Sequence, residues 1–327
     1  MTADADLAVV EALGDRAHRD VPIGPMTTYR VGGAARWFVA ATKVDDLGAV
    51  ARARQASGLP VLVIGRGSNM LVSDRGFDGI ALSIADLSVA DRPAIDIDHQ
   101  AAVVTVAGGV LLPVAARRSA AAGLTGFEWA VGVPGSIGGA VRMNAGGHGS
   151  DMAACVRDVD VFDLDRPGTT VTRGVDELGL SFRASTLAPT MLVLGARLSL
   201  SHGDRATSES LIGEIVRWRR AHQPGGQNCG SVFVNPVPGE VASGALIDRL
   251  GLRGFRIGTA WVSEKHDNFI QAGESGSADD VRAVIEHVRR RVADETGYAL
   301  RSEVRLVGFD DVDPASFDDQ HLEVPAR

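Results

Sequence analysis

Glycine is concentrated in one stretch of this chain, where nine of the 27 positions from 123 to 149 are glycine. Because glycine weakens helices and strands, we expect a long structured loop or a series of turns here and no regular element. Small residues at this density let a backbone lie flat against a large planar or anionic ligand. A purely structural glycine loop is the alternative.

Composition and charge narrow the classes of function. At about 100 to 200 residues per domain, the 327 residues, 45% of them apolar, predict two or three domains with ample core. The 41 acidic and 33 basic residues give a net charge of −8, which argues against nucleic acid as the main partner. The acidic N-terminus is unlike a signal peptide, and no apolar run reaches the roughly 18 to 20 residues of a membrane span. We therefore expect a soluble cytoplasmic protein with no membrane partner.

The reactive side chains exclude several kinds of site. Cys155 and Cys229 lie far apart in the sequence, so they offer neither a disulfide framework nor a zinc cluster, and they fit a reducing cytoplasm. The eight histidines show no ligand spacing, so we predict no metal site. Lys43 and Lys265 are the two lysines, and neither follows the glycine pattern of a P-loop.

Hydrophobic periodicity predicts an α/β order of elements. We expect strands near 35–40, 60–64, 103–106, 156–164 and 191–200, and helices at 45–57 and 111–122. The polar residues 201–208 resemble a linker, and the apolar residues of 211–218 mark one face of a following helix. A helix at 278–296, with Ser277 in a capping box, and a strand at 300–307 complete the pattern. The predicted organisation is an N-terminal extension (1–20), a cofactor domain (21–203), a substrate domain (204–309) and a flexible acidic tail (310–327).

The turn after the second predicted strand is a candidate anion site. Residues 65–69 read Gly-Arg-Gly-Ser-Asn, and consecutive N–H groups in such a turn can cradle a pyrophosphate. The segment is not a Rossmann fingerprint, because Met70 occupies the third glycine position and no helical pattern follows. A tight turn between strands is the alternative.

Two other segments offer single reactive side chains. Ser231 lies in residues 228–236, and it is not a hydrolase nucleophile elbow because Cys229 stands where glycine is required. Glu303 stands between two arginines on the polar face of the predicted last strand. A turn serine and a solvated, salt-bridged strand edge are the respective alternatives.

Seven segments, taken in order, resemble the UDP-N-acetylenolpyruvoylglucosamine reductase family. Each motif alone is weak, whereas the ordered set covers roughly residues 20 to 308. The segments are 27–33, 65–71, 132–140 with 144–146, 181–185, 228–233, 262–266 and 300–304.

The resemblance implies an α+β fold, with an FAD-binding module of the vanillyl-alcohol-oxidase (PCMH) type in two subdomains and a C-terminal α+β substrate domain. It implies that NADPH reduces a noncovalent FAD. The reduced FAD then converts enolpyruvyl-UDP-N-acetylglucosamine to UDP-N-acetylmuramate for peptidoglycan synthesis. Hydride would pass from flavin N5 to C3 of the enolpyruvyl group, and a proton would reach C2.

The resemblance also assigns roles to individual residues. Arg183 and Glu303 would stabilise the enolate-like intermediate, the glutamate only if it is protonated or shares a proton, and Ser231 would protonate C2. The implied FAD-binding residues are Thr28, Arg30, Val31, Gly65, Arg66, Gly67, Ser68, Asn69, Met70, Gly132, Val133, Pro134, Gly135, Ser136, Gly138, Gly139, Asn144, Ala145 and Gly146. The implied substrate-binding residues are Arg142, Arg219, Arg220, His222, Asn228, Lys265 and His266.

This chain departs from the family pattern at three places. Phe182 replaces a common tyrosine, and Val234 replaces a lysine expected to contact substrate phosphate, a role left to Arg142, Arg219, Arg220 or His222. The short connection 185–191 places the chain in the shorter subclass that lacks a substrate loop. We expect a monomer.

The sequence leaves two alternatives open. One is another flavoprotein of the same fold, such as an oxidase, with His148 as the candidate for a covalent flavin bond. The other is a catalytically silent regulator that binds a sugar nucleotide. The presence of Arg183, Ser231 and Glu303 together argues against the silent regulator.

Overall fold

The computed structural model describes residues 2–89 and 93–309. Its helices in these residues are α1 (Thr2–Leu13), α2 (Val44–Ser57), α3 (Leu112–Ala121), α4 (Ile137–Arg142), α5 (Arg205–His222), α6 (Ser243–Arg249) and α7 (Ala278–Thr296). Its strands are β1 (His18–Pro22), β2 (Ala34–Ala40), β3 (Val61–Ile64), β4 (Met70–Val72), β5 (Phe77–Ser83), β6 (Ile95–Asp98), β7 (Val103–Ala107), β8 (Leu124–Thr125), β9 (Gly146–Gly147), β10 (Ser150–Asp151), β11 (Val156–Asp163), β12 (Thr170–Gly174), β13 (Met191–Ser199), β14 (Ser201–His202), β15 (Arg256–Ile257), β16 (Ala260–Val262), β17 (Ile270–Ala272) and β18 (Arg305–Val307). The acidic tail predicted at 310–327 lies outside the described residues.

The chain divides into two compact units, each drawn from three segments. Unit 1 takes its described residues from Met1–Arg19, Trp37–Arg66 and Gly79–Arg219. Unit 2 takes its described residues from Asp20–Arg36, Gly67–Asp78 and Arg220–Arg327.

Unit 1 contains a five-stranded antiparallel sheet in the order β12-β11-β13-β7-β6. It also holds β3 beside β5 as parallel neighbours, with Ile64 paired to Ser83. One core cluster joins the five-stranded sheet to α3 and α4, and a second joins α1 to α2. The predicted strands and helices in this region are confirmed to within a few residues.

Helix α1 belongs to the core of unit 1 and is not a separate extension. Val9 and Leu13 are buried in a cluster with Trp37 and Leu47. At the other predicted boundary, Ile212 of α5 is buried in the main cluster of unit 1. The compact units therefore divide the chain differently from the predicted domains, because both helices bury apolar faces against unit 1.

The glycine-rich stretch contains a regular element, so the expectation of none was wrong. Helix α4 begins after Ser136, whose hydroxyl accepts a hydrogen bond from the Gly139 N–H. Ile137 and Val141 are completely buried in the core of unit 1. Burial of these side chains and an N-terminal cap stabilise one and a half turns despite the local glycines.

The predicted linker 201–208 is also structured. Ser201 and His202 pair with Thr125 and Leu124 as strands β14 and β8. Helix α5 begins at Arg205, earlier than its apolar face suggested. The sequence did not indicate these elements, because their side chains are polar. The pairing of β14 uses backbone N–H and C=O groups and needs no apolar residue.

Unit 2 is built from a three-stranded sheet, β15-β16-β17, packed against α7. The predicted apolar stripe of α7 is confirmed, because each of its members is fully or almost fully buried: Val281, Val284, Ile285, Val288 and Val292. Ser277 caps the helix by accepting a hydrogen bond from the Asp280 N–H at 3.2 Å. The helix ends at Gly297, whose φ of +75° suits glycine.

The strand predicted at 300–307 is shorter in the structure, where β18 covers only Arg305–Val307. Strand β18 lies parallel to β4, with Arg305 paired to Met70. Before it, residues 300–304 form an isolated bridge from Ser302 to Phe233. The chain around Glu303 therefore pairs with two different segments, Phe233 on one side and β4 on the other.

Candidate active site

In unit 1, the turn after β3 meets the turn before α4. A Cβ atom on Gly65 would lie 2.7 Å from Ser136 Oγ, so a side chain here would push the two segments apart. The Arg66 guanidinium donates hydrogen bonds to the carbonyl oxygens of Ala85 at 3.3 Å and Gly109 at 3.5 Å. These residues follow the ends of three strands, which is a common position for ligand sites in α/β structures.

The donor set at this edge fits the diphosphate of FAD. Backbone N–H groups, the Ser136 hydroxyl and the Arg66 guanidinium can all donate to phosphate oxygens, and the bare Gly65 leaves room for them. The sequence predicted pyrophosphate binding at both segments. The structure brings these parts of the two segments together within unit 1.

At two other positions of the predicted cofactor loop, glycine is required by the packing of the backbone. The Gly138 N–H donates to the Gly108 carbonyl at 2.8 Å, and a Cβ atom on Gly138 would lie 2.9 Å from the Val193 oxygen. A Cβ atom on Gly146 would lie 2.6 Å from the Ser150 oxygen, across the β9–β10 pair. At these two positions glycine permits close backbone packing, so their direct contact with FAD stays a prediction.

Arg183 lies in unit 1 at the tip of a tight turn, residues 181–184, which we call the Arg183 turn. Ser181 and Ala184 exchange two backbone hydrogen bonds of 3.0 and 3.2 Å. Arg183 itself has φ +57°, an uncommon conformation for a side chain of this size. Its guanidinium carbon lies 5.2 Å from the centre of the Phe182 ring.

A cavity of about 440 Å³ in unit 1 is lined by α5 and the glycine-rich stretch. The His148 ring on this wall packs edge-on against the Trp218 ring, with centroids 5.3 Å apart. Burial, and then the charge of Arg219, lower the pKa of His148. The structure thus brings Arg219, a predicted phosphate ligand, near the histidine that the oxidase alternative singled out.

In unit 2, the other half of the predicted cofactor turn contacts two predicted site segments. The Thr28 N–H donates to the Gly67 carbonyl at 3.1 Å. The Asn69 side-chain amide donates to the Glu303 carbonyl at 2.8 Å, and the Arg305 N–H donates to the Asn69 carbonyl at 3.0 Å. Asn69 therefore joins the predicted cofactor turn to the predicted catalytic strand.

Ser231 and Glu303 lie on paired segments of unit 2. The Glu303 N–H donates to the Val232 carbonyl at 2.7 Å, one residue from Ser231. The buried Asn268 side chain fixes the next residue, because its Oδ1 accepts from the Phe233 N–H at 2.9 Å and its Nδ2 donates to the Phe233 carbonyl at 2.8 Å. Sequence reasoning missed Asn268, since a single buried amide has no periodic signal.

Two buried titratable groups lie near Glu303. The Tyr29 side chain is completely buried and interacts with the Cys229 thiol. Burial raises the pKa of Tyr29, and it raises the pKa of Cys229 to about 12, an effect to which the nearby Glu303 charge adds. Both groups stay neutral at physiological pH and were also missed from the sequence.

In unit 2, four predicted substrate-binding residues form two pairs. The Lys265 ammonium donates to the Arg220 carbonyl, at the C-terminal end of α5. His222 lies close enough to His266 for its charge to lower the His266 pKa, although burial is the larger cause. The Lys265 ammonium is a cationic donor of the kind that phosphate recognition uses.

The Asn228 side chain forms hydrogen bonds within its own loop. Its Nδ2 donates to the carbonyls of Gly225 at 3.2 Å and Gly226 at 3.3 Å, and its Oδ1 accepts from the Gly230 N–H at 3.0 Å. The side chain shapes the turn before Ser231. A direct contact with substrate stays a prediction.

The three predicted catalytic residues are divided between the units. Arg183 belongs to unit 1, whereas Ser231 and Glu303 belong to unit 2. Likewise, Gly65 and Arg66 belong to unit 1 and residues 67–70 to unit 2.

Comparison with protein-family models gives two matches. Residues 35–174 match the FAD binding domain, and residues 222–307 match the UDP-N-acetylenolpyruvoylglucosamine reductase C-terminal domain. The reductase of Prochlorococcus marinus is 36% identical over 296 residues, covering 90% of this chain and 99% of that protein. The reductase of Heliobacterium modesticaldum is 40% identical over 304 residues, covering 92% and 94%. This chain belongs to the UDP-N-acetylenolpyruvoylglucosamine reductase family.

A solved structure of the same reductase family agrees with this assignment. The crystal structure of UDP-N-acetylenolpyruvylglucosamine reductase from Thermus caldophilus matches with a TM-score of 0.73 and 32% identity, covering 89% of this chain and 99% of that one. The predicted fold class, an FAD-binding module followed by the reductase C-terminal domain, is confirmed. The prediction of an FAD-binding protein is confirmed as well.

The part of the chain that the structure describes shows neither a metal-binding cluster nor a membrane-spanning helix. There, no cluster of three or more His, Cys, Asp or Glu side chains could hold a metal ion. No helix within 2–89 or 93–309 combines the length and apolar character that crossing a bilayer requires.

Proposed function

We propose that this reductase uses NADPH and FAD to convert enolpyruvyl-UDP-N-acetylglucosamine to UDP-N-acetylmuramate in peptidoglycan precursor synthesis. The hydrogen bond from Asn69 to Glu303 carries the proposal, because it joins the predicted cofactor turn to the segment before β18 that bears the proposed catalytic acid. The family assignment supplies the substrate class. The finer assignment to the shorter, loop-lacking subclass rests on the short connection from residue 185 to 191.

FAD held by the segments that contain Gly65 and Ser136 would supply, when reduced, a hydride to C3 of the enolpyruvyl double bond. The electron pair of that bond moves toward C2 and the attached carboxylate, where negative charge develops. Arg183 stabilises this charge, and Glu303 does so in its protonated form or through a shared proton. Ser231 donates its hydroxyl proton to C2 and recovers a proton from solvent, which completes the addition of two hydrogens.

Several groups of this chain prepare the site for that chemistry. Ser231 is held in place by the backbone pairing of Val232 with Glu303 and by the Asn268 amide. Lys265 and His266 of unit 2 bind the substrate diphosphate. In unit 1, Arg219 is a further candidate for binding substrate phosphate, and burial lowers the pKa of its guanidinium.

Stopped-flow absorbance of the flavin tests this function. The purified protein should be yellow, and denaturation should release the flavin; a colourless, flavin-free protein would contradict the proposal. NADPH should bleach the flavin, and enolpyruvyl-UDP-N-acetylglucosamine should restore its absorbance. Failure of the substrate to reoxidise reduced flavin would overturn the reductase assignment.

A single substitution tests the role of Ser231. The Ser231→Ala variant should keep the rate of flavin reduction and slow reoxidation by substrate by about 10²- to 10⁴-fold, the usual contribution of a general acid. The exposed Ser201→Ala serves as the control and should behave as wild type. Equal reoxidation rates in both variants would remove Ser231 from the mechanism.

We also propose that the protein acts as a monomer in the cytoplasm. The two cysteines support the cytoplasmic location. Cys155 and Cys229 are both free buried thiols, a state that suits a reducing environment. Analytical ultracentrifugation tests the monomer, and a sedimentation mass of twice the 34.2 kDa chain would contradict it. Cell fractionation tests the compartment.

A further inference from the structure

The Arg183 turn is strained and needs external support. Arg183 has φ +57°, a conformation that is unfavourable for a residue with a long side chain. Such a conformation persists where the surroundings fix it. Two hydrogen bonds within the turn, between Ser181 and Ala184, are short-range and leave its direction open.

Asn144 supplies one external support. Its Nδ2 donates to the Ser181 carbonyl at 3.0 Å and to Asp151 Oδ2 at 3.1 Å, and its Oδ1 accepts from the Ala153 N–H at 2.9 Å. The side chain is 4% exposed, and the residue has φ +38°, a region that asparagine tolerates better than most residues. Each of these three hydrogen bonds joins the Asn144 side chain to another atom of the protein.

Arg142 supplies the second support, on the other side of the turn. Its carbonyl accepts a hydrogen bond from Ser185 Oγ at 2.7 Å, directly after the Arg183 turn. Its guanidinium donates to the Leu187 carbonyl and to the Met191 carbonyl, each at 3.1 Å. One arginine thus holds the connection 185–191 at three points.

We propose that Arg142 and Asn144 are positioning residues for Arg183. Together they hold residues 181–191 through four hydrogen bonds, which we call the clamp: Asn144 to Ser181, Ser185 to Arg142, and Arg142 to Leu187 and Met191. The proposal rests on the proposed catalytic role of Arg183. It gives the end of the glycine-rich stretch a task beyond cofactor binding, because this segment fixes where the guanidinium meets the developing charge.

The clamp predicts kinetic effects that differ from those of the ligand roles implied by the family resemblance. A phosphate ligand at Arg142 would lower KM by binding substrate and transition state alike, whereas a positioning residue acts on the step that needs Arg183. A flavin ligand at Asn144 would affect FAD retention or its reduction by NADPH. A clamp residue affects reoxidation by substrate.

Three variants weaken the clamp by different amounts. Asn144→Asp keeps the tolerance for positive φ but cannot donate to Ser181 and faces the carboxylate of Asp151. Arg142→Lys lacks the planar fork that spans two carbonyls. Ser185→Ala removes one hydrogen bond with little change in volume, so it folds even if the other two variants do not.

Flavin content, the rate of reduction by NADPH and the rate of reoxidation by substrate are measured for each variant. We expect unchanged content and reduction, and reoxidation slower by about 10- to 100-fold for Asn144→Asp and Arg142→Lys, as for small misplacements of a catalytic group. KM for the substrate should stay within about twofold. Ser185→Ala should show the same pattern to a smaller extent.

Arg197→Lys is the matched control, because Arg197 in unit 1 is also partly buried and bonds to two side chains, Asp158 and Asp160. It should reoxidise like wild type even if its stability falls. Combining Asn144→Asp with Arg183→Lys should slow reoxidation no more than Arg183→Lys alone, because both act on one interaction.

Two results would overturn the clamp. Wild-type reoxidation in all three variants, with Arg183→Lys strongly impaired, would reject it while leaving the proposed function intact. A raised KM with unchanged turnover in Arg142→Lys, or loss of flavin in Asn144→Asp, would return these residues to ligand roles. If Arg183→Lys itself reoxidises normally, the proposed function of Arg183 fails instead.

Discussion

The Asp74 carboxylate accepts a 2.6 Å hydrogen bond from the Ser277 hydroxyl, although the two residues are 203 positions apart. The same carboxylate accepts from the N–H groups of Ala278 at 3.0 Å and Asp279 at 3.1 Å. A residue from a distant segment thus satisfies the first donors of α7, beside the cap that Ser277 provides. This relationship connects two distant segments of unit 2.

Asp74→Ala should lower the free energy of unfolding by about 1 to 2 kcal/mol, the range for lost helix caps. The reason is that the first N–H groups of α7 lose a charged acceptor. Urea denaturation followed by circular dichroism measures the change. Asp78→Ala is the control, because the Asp78 side chain is 83% exposed and its ion pair with Arg36 should contribute little. An equal loss in both variants would contradict the prediction.

Glu128→Gln should destabilise unit 1 by about 1 to 3 kcal/mol, as expected when buried donors lose a charged acceptor. The carboxylate accepts hydrogen bonds from Ser208 Oγ, Thr125 Oγ1 and the Gly126 N–H, and it is almost completely buried. Thermal unfolding measures the effect. Glu209→Gln, half exposed on the same helix as Ser208, should change stability by a few tenths of a kcal/mol at most.

Gly65→Ala should weaken FAD binding by about tenfold, equivalent to about 1.4 kcal/mol. The added Cβ would press on Ser136 Oγ at 2.7 Å and displace one wall of the proposed diphosphate site. Titration of the apoprotein with FAD, followed by flavin fluorescence, gives the dissociation constant. Gly147→Ala is the control, since its Cβ would meet Val133 at an ordinary 3.5 Å. Unchanged affinity in Gly65→Ala would remove this contact from the site.

Acidification should destabilise the protein in two steps. Burial lowers the pKa values of His148, His266 and His287, so the unfolded state binds protons more readily near pH 6.5 and stability falls as pH drops below that value. Burial alone would raise the pKa values of Asp74 and Glu128, but their hydrogen bonds outweigh it and lower them. Their contribution is present above about pH 4 and is lost below it. Urea midpoints between pH 8 and pH 3 measure both steps, and a midpoint that rises on acidification would contradict the prediction.

The two thiols should be unreactive in the folded protein. Burial raises the pKa values of Cys155 and Cys229 to about 12, so at pH 8 few thiolates exist and few are accessible. An aromatic disulfide reagent should therefore react slowly with native protein and rapidly with two thiols after unfolding in guanidinium chloride. Fast reaction of the native protein would place at least one thiol at the surface.

The periodic elements could be predicted from the sequence for local reasons. The apolar stripe and Ser277 cap defined α7, and alternating apolar residues defined β11 and β13. Helix α4 could not be predicted, because its stability comes from burying Ile137 and Val141 in a core built by distant segments. Strand β14 could not be predicted for a related reason. Its partner strand β8 lies far away in the sequence, and the pairing uses backbone groups.

The candidate site shows the same division. Sequence motifs identified Gly65, Ser231 and Glu303 through their residue types and the family pattern. They contained no signal for Asn268 or for the Tyr29–Cys229 contact, because one buried amide or phenol has no spacing to detect. The role of Asn144 depended on its bond to Ser181, which is 37 residues away.

The sequence by itself determined the family, the FAD-binding module and the glycine density that marks its loop, because these follow from ordered motifs and from the absence of Cβ atoms. The tertiary structure alone decided what each glycine contacts, how Arg142 and Asn144 hold the Arg183 turn, and how Asn69 reaches Glu303. The physical reason is that hydrogen bonds between distant segments depend on where folding places both partners, and a linear pattern records only one of them at a time.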